Sequence, residues 1–523
     1  MNLQVHSLAA QIAQEIGIDA VSTDAQQLDL MARDVYGHGG EPLCVVRPGS
    51  VEALQTAVRL CAQAGVAMVP RGGGVSYTDG YLLPSGGHVL FDMSGLDSID
   101  VDVENALVTV GAGVTWAALR EHLAAKGLRT PFWGPFSGLV ASIGGSVSQN
   151  AISHGSGAYG ISAQSVHSMD VVLASGELLS TSASEAVRHF GPDLTGLFTG
   201  DCGALGFKAR IRLPLLNTRD HFQALSFAFD DFTSFHNGLR TAVKMGLEDE
   251  HFGLDTALSQ GQIGKQDDVG SRVKIASEVL RSAPNLLSGV NQLLKMALAG
   301  NKVLSSGAYM LHFIVEGVTA QEAKAKAQTL RSQLQAYGRS ITNSVPTFVR
   351  SLPFAPLNNM LGPQGERWVP LHGVLPHANV AAFHAALKKL YDRRSSEMKQ
   401  LGVWTGAMFS AVGSTGLLYE LALYWPDVAT TFHRSLINAQ SLQALPQHRS
   451  APDVAAYVDE FKRELIELYA EHGAAHFQIG RAYPYTRRLD EPSRALIGNL
   501  KAHLDPHGLM NPGVLGLPEK SAE

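Results

Sequence analysis

The sequence has little cysteine, little charge and no long apolar run. Its three cysteines among 523 residues, Cys44, Cys61 and Cys202, lack CxxC spacing, which argues against a disulfide framework and a zinc knuckle. Charged residues make up 17%, the net charge is −6 and no basic run occurs, so nothing predicts nucleic acid or an anionic membrane as a partner. No stretch reaches membrane-spanning length, and the first residues form an amphipathic pattern rather than a leader. We therefore expect a cytoplasmic protein without a membrane span.

Glycine is abundant, and residues 70–81, PRGGGVSYTDGY, hold three glycines in a row behind a short apolar stretch. The segment is not the dinucleotide fingerprint GxGxxG and no GK[ST] follows it, so a Rossmann site and a P-loop are poor fits. Because glycine tolerates positive φ, such a loop can direct successive backbone N–H groups at one anion. We predict a phosphate cradle; the alternative is a glycine-rich turn between two strands.

Two further segments are rich in glycine. Residues 134–160, GPFSGLVASIGGSVSQNAISHGSGAYG, carry almost no charge although a buried strand resumes soon after them. A long uncharged segment of this kind can lie flat against a large planar ligand, with Ser, Gln and Asn side chains bonding ring heteroatoms. Residues 193–207, DLTGLFTGDCGALGF, again place glycines between apolar anchors. These segments strengthen the case for a ligand site.

The elements around these segments divide the chain into two parts. In the first part we predict strands at 42–48, 66–69, 88–93, 106–110 and 169–174, and helices capped by Ser50 and Thr115. After residue 215 the glycine-rich character ends. Strands are predicted at 309–315, 345–349, 368–375, 402–410 and 417–425, with helices from Thr319 to Tyr337 and over 378–394. This order predicts an antiparallel sheet with helices on one face, while residues 253–306 give no functional signal.

The motifs together resemble one family. RGGGVSYTDGY, GAGVTW, SGLVASIGGSVSQNA and DLTGLFTGDCGALGF, followed by LKAHLDPHGLMNPG at 500–513, are similar to the FAD-linked oxidoreductases of the vanillyl-alcohol oxidase and para-cresol methylhydroxylase (PCMH) superfamily. The resemblance covers about residues 40–215 and 475–517. It implies an α+β, two-domain flavoprotein: a PCMH-type FAD-binding domain of two α/β subdomains, and a cap domain of antiparallel sheet with helices. The expected bounds are 1–215 for the main FAD-binding part, 216–455 for the cap and 456–523 for the returning segment.

The resemblance also implies which residues hold FAD. A first group would wrap the pyrophosphate: Arg71, Gly72, Gly73, Gly74, Val75, Ser76 and Tyr77. A second group would lie along the isoalloxazine and ribityl chain: Ser142, Gly144, Gly145 and Asn150. A third would lie on the adenine side, Gly203, Gly206 and Phe207, and the terminal motif adds Asn511. Val75 stands where some members carry a histidine bonded to the flavin, so that tether is absent and covalent attachment elsewhere is left open.

Two clusters are candidates for the chemistry. Residues 476–488, HFQIGRAYPYTRR, bring His476, Arg481, Tyr483 and Tyr485 close in sequence, and Arg and Tyr groups can hold a phenolate or carboxylate. The alternative is a strand edge with solvated arginines. In WVPLHGVLPH at 368–377, His372 is a candidate covalent tether, base or substrate contact, and otherwise a hydrogen-bonded packing residue.

Three functions remain open. The first is an FAD-dependent oxidase or dehydrogenase that moves a hydride from a small alcohol, above all a 4-substituted phenol or aromatic alcohol, to flavin N5 with no metal. The second is a D-2-hydroxy-acid dehydrogenase, for which His372, His377 and Glu471-His472-Gly473 superficially offer metal ligands without the GDGN that should follow. The third is a flavin-binding protein without turnover. Expected partners are a small-molecule substrate, oxygen or a redox protein as electron acceptor, and a second copy in a homodimer.

Overall fold

The structure is a computed structural model that describes residues 2–184, 186–263, 307–354 and 356–518. It divides into two units. The first comprises residues 1–152, 161–217 and 477–523, and the second comprises 153–160 and 218–476. In this division the chain returns to the first unit at Phe477, and the short segment 153–160 belongs to the second unit. The expected bounds of the FAD-binding and cap domains, with the return at residue 456, stay predictions. Residues 253–306 carry no functional signal in the sequence, and of these residues 264–306 lie outside the described part of the chain.

The first unit begins with a four-stranded sheet in the order β1-β2-β4-β3. Its strands are β1 (Val21–Ser22), β2 (Cys44–Val46), β3 (Met68–Arg71) and β4 (Val89–Asp92). The last three are parallel, and β1 runs antiparallel to β2. The helices are α1 (Asn2–Ile16), α2 (Ala25–Met31) and α3 (Val51–Ala64). As predicted, the Ser50 hydroxyl caps α3 by accepting from the Ala53 N–H at 3.1 Å, so β2-α3-β3 places the first glycine loop at the carboxyl end of β3.

A five-stranded antiparallel sheet in the order β5-β6-β10-β8-β9 completes the first unit. Its strands are β5 (Ile99–Asp102), β6 (Leu107–Gly111), β8 (Ser168–Val172), β9 (Leu178–Ser180) and β10 (Phe207–Pro214). A small pair joins β7 (Leu128–Arg129) to β11 (Leu216–Asn217). The helices are α4 (Trp116–Ala124), α5 (Ile143–Ser148), α7 (Leu194–Leu197) and α16 (Glu491–Leu504).

The second unit is built on a seven-stranded antiparallel sheet in the order β15-β12-β14-β13-β17-β18-β16. The strands are β12 (His221–Phe229), β13 (Glu250–Asp255), β14 (Tyr309–Gly317), β15 (Arg339–Ser340), β16 (Arg367–Pro376), β17 (Trp404–Val412) and β18 (Gly416–Trp425). The helices are α6 (Ser156–Tyr159), α8 (Phe232–Met245), α9 (Thr256–Ile263), α10 (Ala320–Leu334), α11 (Ser344–Ser351), α12 (Val380–Leu401), α13 (Thr431–Leu436), α14 (Ala439–Ala444) and α15 (Pro452–Glu471). The predicted two-part α+β architecture is confirmed.

One predicted strand of this unit is wrong. Residues 345–349 lie in the helix α11. Pro346 sits in its first turn, where the missing N–H costs nothing, and two hydroxyls support the helix by bonding carbonyls four residues back: Thr347 to Asn343 at 2.8 Å and Ser351 to Thr347 at 2.9 Å. A short apolar run cannot distinguish these two structures by its period.

Helices cover one face of the seven-stranded sheet. Phe235 of α8 packs on Phe409, and Phe383 of α12 packs on Tyr419, with ring centroids 4.9 and 5.2 Å apart. These sheet residues alternate along their strands with residues of the opposite face. On that opposite face, α9 lies against β17 at one end and α11 lies against β12 and β14 at the other. None of the helices in the described ranges has the length and apolar character needed to cross a bilayer.

Candidate functional site

The first glycine loop is in close contact with the second glycine-rich segment. A Cβ added at Gly73 would overlap the Val140 carbonyl oxygen, and one added at Gly72 would overlap the Ser142 hydroxyl. Gly74 has φ +74°, a conformation that side chains with a Cβ rarely adopt. Gly72 and Gly73 are therefore required by the close approach of the two segments, and Gly74 by its own backbone conformation.

The same loop presents unused hydrogen-bond donors. The backbone N–H groups of Gly73, Gly74, Val75 and Ser76 donate to no described residue, whereas nearly all buried N–H groups in proteins have a partner. The buried Nε of Arg71 likewise has no acceptor among the described residues. The Tyr81 hydroxyl lies 2.7 Å from the Gly74 carbonyl oxygen and fixes the loop from the other side. A run of free N–H groups beside a guanidinium suits an anionic diphosphate.

The second glycine-rich segment forms the start of α5. The Ser142 hydroxyl caps this helix by accepting from the Gly145 N–H at 3.2 Å, and Gly144 packs on Ala112 so closely that an added Cβ would lie 2.7 Å from its Cβ. Asn150 has φ +52°, and its side-chain carbonyl oxygen is buried without a hydrogen-bond partner among the described residues. This acceptor fits the polar edge of a ring system.

The third glycine-rich segment packs under the first loop. Gly203 has φ +75°, and an added Cβ would lie 2.5 Å from Pro70 Cγ. Gly206 leaves room for Val171 in the same way. Phe207 begins β10 and is buried in the core, where its ring lies 5.3 Å from that of Phe91. The two glycines thus place the segment beside the cradle, while the Phe207 ring packs in the core.

Arg481 and Asn511 join the cradle to the end of the chain. The Arg481 guanidinium donates to the carbonyls of Asp79 at 2.9 Å and Pro512 at 2.7 Å, to Gly80 at 3.3 Å, and to Asn511 Oδ1 at 2.8 Å. The Asn511 amide in turn donates to the carbonyl of Gly80 at 2.8 Å and to that of Cys202 at 2.6 Å. Arg481 therefore acts on the loop that follows the glycines.

The terminal motif extends the first sheet. The Met68 N–H donates to the Leu509 carbonyl and the Asn511 N–H donates to the Met68 carbonyl, both at 2.8 Å, in a parallel bridge beside β3. The buried Lys501 ammonium holds this segment by donating to the carbonyls of Ala204 and Met510, both at 2.8 Å. The motif is thus part of the strand layer that carries the cradle.

The two predicted tyrosines lie in the same region. Tyr483 is buried, and Tyr485 packs on the apolar cluster of Cys202, Val514 and Leu515. Their side chains pack the terminal segment against the first unit. Their predicted contact with substrate stays a prediction.

The second unit has a row of residues on the sheet face opposite α8 and α12. Leu254, Met408, Glu420 and His372 stand directly opposite one another on the neighbouring strands β13, β17, β18 and β16. Directly opposed residues of antiparallel strands project from the same face. We call these four residues the open row. Leu254 and Met408 are half-buried and pack against the cluster that α9 forms at its Leu258.

Glu420 is the charged member of the open row. It is half-buried, its carboxylate has neither a hydrogen bond nor an ion pair to any described residue, and burial raises its pKa to about 7. His372 is fully buried, and burial, with the charge of His476 as a smaller cause, holds its pKa well below the ordinary range. His476 Nδ1 donates to the His372 carbonyl at 2.7 Å. The two predicted histidines of the second unit are therefore neighbours.

The ligand set of the metal-assisted alternative does not assemble. His377 Nδ1 lies 2.9 Å from Nε2 of His236, and His472 Nδ1 donates to the Leu468 carbonyl within α15. Within the described ranges no three His, Cys, Asp or Glu side chains are grouped as metal ligands. The Glu471-His472-Gly473 step begins at the last residue of α15. This helix packs on the helix-covered face through Tyr469 near Gly373, whereas His372 projects from the other face.

Sequence reasoning missed Glu420. Glu420 is the one acid in the otherwise uncharged strand GLLYELALYW. A lone carboxylate in an apolar strand was the sequence signal that could have identified it. The bonding of Arg481 had no such signal, since its backbone acceptors Asp79 and Gly80 are about four hundred residues away in sequence.

Comparisons with known proteins identify two regions. Residues 42–182 match the family model described as "FAD binding domain", and residues 451–515 match "FAD linked oxidases, C-terminal domain". The chain is 32% identical over 165 residues to glycolate oxidase subunit GlcD of Bacillus subtilis, covering 32% of this chain and 35% of the relative. It is 34% identical over 181 residues to the mitochondrial D-lactate dehydrogenase [cytochrome] of Arabidopsis thaliana, covering 34% and 31%. The match therefore spans about a third of the length of these relatives.

Solved structures resemble the chain over nearly its whole length. p-Cresol methylhydroxylase with substrate bound superposes with a TM-score of 0.72, covering 99% of this chain and 98% of its own, at 17% identity. Identity this low supports a shared fold and nothing finer.

Proposed function

We propose that this chain is a member of the vanillyl-alcohol oxidase and p-cresol methylhydroxylase superfamily that oxidises a small neutral aromatic alcohol or 4-substituted phenol. That it is an FAD-linked oxidoreductase follows from its two matched domains. The predicted FAD cofactor is confirmed by the matched FAD-binding domain. When bound, FAD would supply the redox chemistry by taking a hydride, and with it two electrons, from the substrate carbon. The superfamily and the substrate class are the parts that we propose.

The residues of the first unit suit FAD. Gly73, Gly74, Val75 and Ser76 would offer their free N–H groups to the diphosphate, with the Arg71 guanidinium beside them. Others of the predicted set act indirectly: Ser142 shapes α5, Asn511 holds the loop at Gly80, and Phe207 packs the core. His372 stays a predicted candidate for a covalent tether.

The composition of the open row carries the substrate proposal. Its members Leu254 and Met408 are apolar and His372 is held neutral by burial. Strands β13, β17 and β18 contain no lysine or arginine. The arginine of β16, Arg367, lies on the opposite side of its strand from His372 and pairs with Asp427 at 3.6 Å.

A 2-hydroxy acid carries a carboxylate, which proteins usually bind with a cation. This part of the sheet offers a carboxylate instead, Glu420. The surface therefore favours an uncharged ligand with an apolar body and a hydroxyl group.

A D-2-hydroxy-acid dehydrogenase is the second candidate. It is favoured by the identity to the glycolate oxidase subunit and to D-lactate dehydrogenase. Those matches cover about a third of this chain, and an FAD-binding domain can serve several substrates. The electron acceptor, the cytoplasmic location and the homodimer stay predictions.

The test is anaerobic reduction of the purified flavoprotein by candidate substrates. Reduction is monitored as the loss of absorption at roughly 450 nm, where oxidised flavin absorbs. We expect 4-hydroxybenzyl alcohol or p-cresol to bleach the flavin, and D-lactate, glycolate and D-mandelate to leave it oxidised. Bleaching by the hydroxy acids alone would establish the second candidate. A protein that stays colourless after incubation with excess FAD would refute both.

A further inference from the structure

We propose that Glu420 is the specificity-determining residue of the open row: it binds the hydroxyl group of a neutral substrate and excludes ligands that carry a carboxylate. This inference rests on the proposed function, because it assumes that the open row contacts the substrate. It goes further by naming the residue that selects the ligand and the chemical class that this residue rejects.

The position of Glu420 is the first argument. It lies in the middle of β18, directly between Met408 of β17 and His372 of β16. The next residues of β18 on the same face, Leu418 and Ala422, are buried, whereas Glu420 is half-buried. A carboxyl group in the interior of an apolar strand is costly unless something compensates it.

The absence of a partner is the second argument. Two other acids of this unit have a partner for at least one oxygen: Glu316 pairs with Arg350 at 2.5 Å, and Glu366 accepts from the Trp404 indole at 3.1 Å. The Glu420 carboxylate receives no hydrogen bond or ion pair from any described residue. A group kept unsatisfied in this way is typical of a site that binds a ligand.

The chemistry of the two protonation states gives the selectivity. An ionised carboxylate accepts hydrogen bonds and repels a second carboxylate, while a protonated one can donate a single bond. A hydroxyl group can serve either state, because it both donates and accepts. A carboxylate ligand can bind well only when Glu420 is protonated, because the ionised Glu420 repels it.

The pH range follows from the groups that face Glu420. His372 opposes it on β16 and stays neutral, because its pKa is held well below the ordinary range. Met408 opposes it on β17 and does not titrate, and α9 carries no charged residue. His476, bonded to the His372 carbonyl, is a further titratable group near the row, and among the described residues Glu250 of β13 and Glu366, bonded to Trp404, lie farther along the same region. Ionisation of Glu420 near pH 7 is therefore expected to govern ligand charge selection.

The experiment measures equilibrium binding to the FAD-loaded protein by calorimetry, with tryptophan fluorescence as a second reading since Trp404 lies in the cluster beside Met408. The probes are phenol, which is neutral in this range and has no benzylic carbon to oxidise, and benzoate, which is ionised throughout the range. Between pH 6 and pH 8 we expect the benzoate dissociation constant to rise at least about tenfold in the wild type and that of phenol to change little. In Glu420→Gln the benzoate dependence should vanish. Glu104→Gln, which removes an exposed acid of the first unit instead, should behave as the wild type does.

Several results would overturn the inference. They are equal benzoate profiles in the wild type and Glu420→Gln, a pH step that disappears in His476→Asn instead, or no binding of either probe at millimolar concentration. The proposed function fails separately. If the predicted binding profile holds while no aromatic alcohol reduces the flavin, the oxidation proposal falls and the role of Glu420 stands. If an aromatic alcohol reduces the flavin and Glu420→Gln keeps the wild-type binding profile, the oxidation proposal stands and the role of Glu420 falls.

Discussion

Replacing Arg481 by alanine tests whether this side chain builds the cradle or reacts with substrate. Its guanidinium makes three hydrogen bonds of 2.7–2.9 Å, to Asp79, Asn511 and Pro512, and a longer one to Gly80. A hydrogen bond to a charged group contributes about 1.5–3 kcal/mol, although such values do not add. Because Arg481 is half-buried and water can replace part of the set, we expect a loss of about 3 kcal/mol. A loss of this size lowers the thermal midpoint by about 6–12 °C.

The larger effect should fall on flavin content. Without Arg481 the loop at residues 79–80 loses its link to the terminal motif, and the neighbouring N–H groups lose their fixed direction. We expect Arg481→Ala to purify with less than half the FAD of the wild type, measured as the ratio of absorption near 450 nm and 280 nm, and to recover FAD when it is added in excess. Arg487→Ala is the matched control, because Arg487 is exposed six residues later.

A different outcome would refute this reasoning. If Arg481→Ala retained full FAD and the wild-type midpoint but its flavin were reduced slowly by substrate, Arg481 would contact the substrate. The cradle would then not depend on it.

Two further changes test other parts of the structure. Gly73→Ala should abolish FAD content, because its Cβ would overlap the Val140 carbonyl oxygen. Gly49→Ala, where nothing lies within 4 Å of the added Cβ, should keep its FAD. A yellow Gly73→Ala protein would contradict the close contact of the two loops. Burial lowers the pKa of His312 from the ordinary 6.5 to about 3, so between these pH values the folded state binds fewer protons than the unfolded state. The stability that the neutral, buried His312 gives is therefore full above pH 6.5 and is lost as the pH falls toward 3. His312→Asn, which keeps a partner for Ser226, should therefore show a shallower fall of the thermal midpoint between pH 6.5 and pH 4, and an unchanged slope would contradict it.

Local patterns were sufficient for much of the fold. The caps at Ser50 and Thr115 and the alternating strands of the second unit follow from neighbouring residues, so the sequence predicts them. The α11 segment failed because five apolar and β-branched residues suit a strand as well as a helix. Arg481 and Glu420 could not be predicted in full, since their roles depend on which atoms surround them. For Arg481 these atoms are carbonyl oxygens. For Glu420 the decisive fact is that no described residue gives its carboxylate a hydrogen bond or an ion pair.

The bridge between Met68 and Met510 has a consequence for biosynthesis. The sheet beneath the cradle takes hydrogen bonds from the segment around Met510, which is synthesised after the whole of the second unit. The nascent protein can form its middle part while its cofactor pocket is still unfinished. Retention of FAD is therefore expected only after the ribosome has passed Met510.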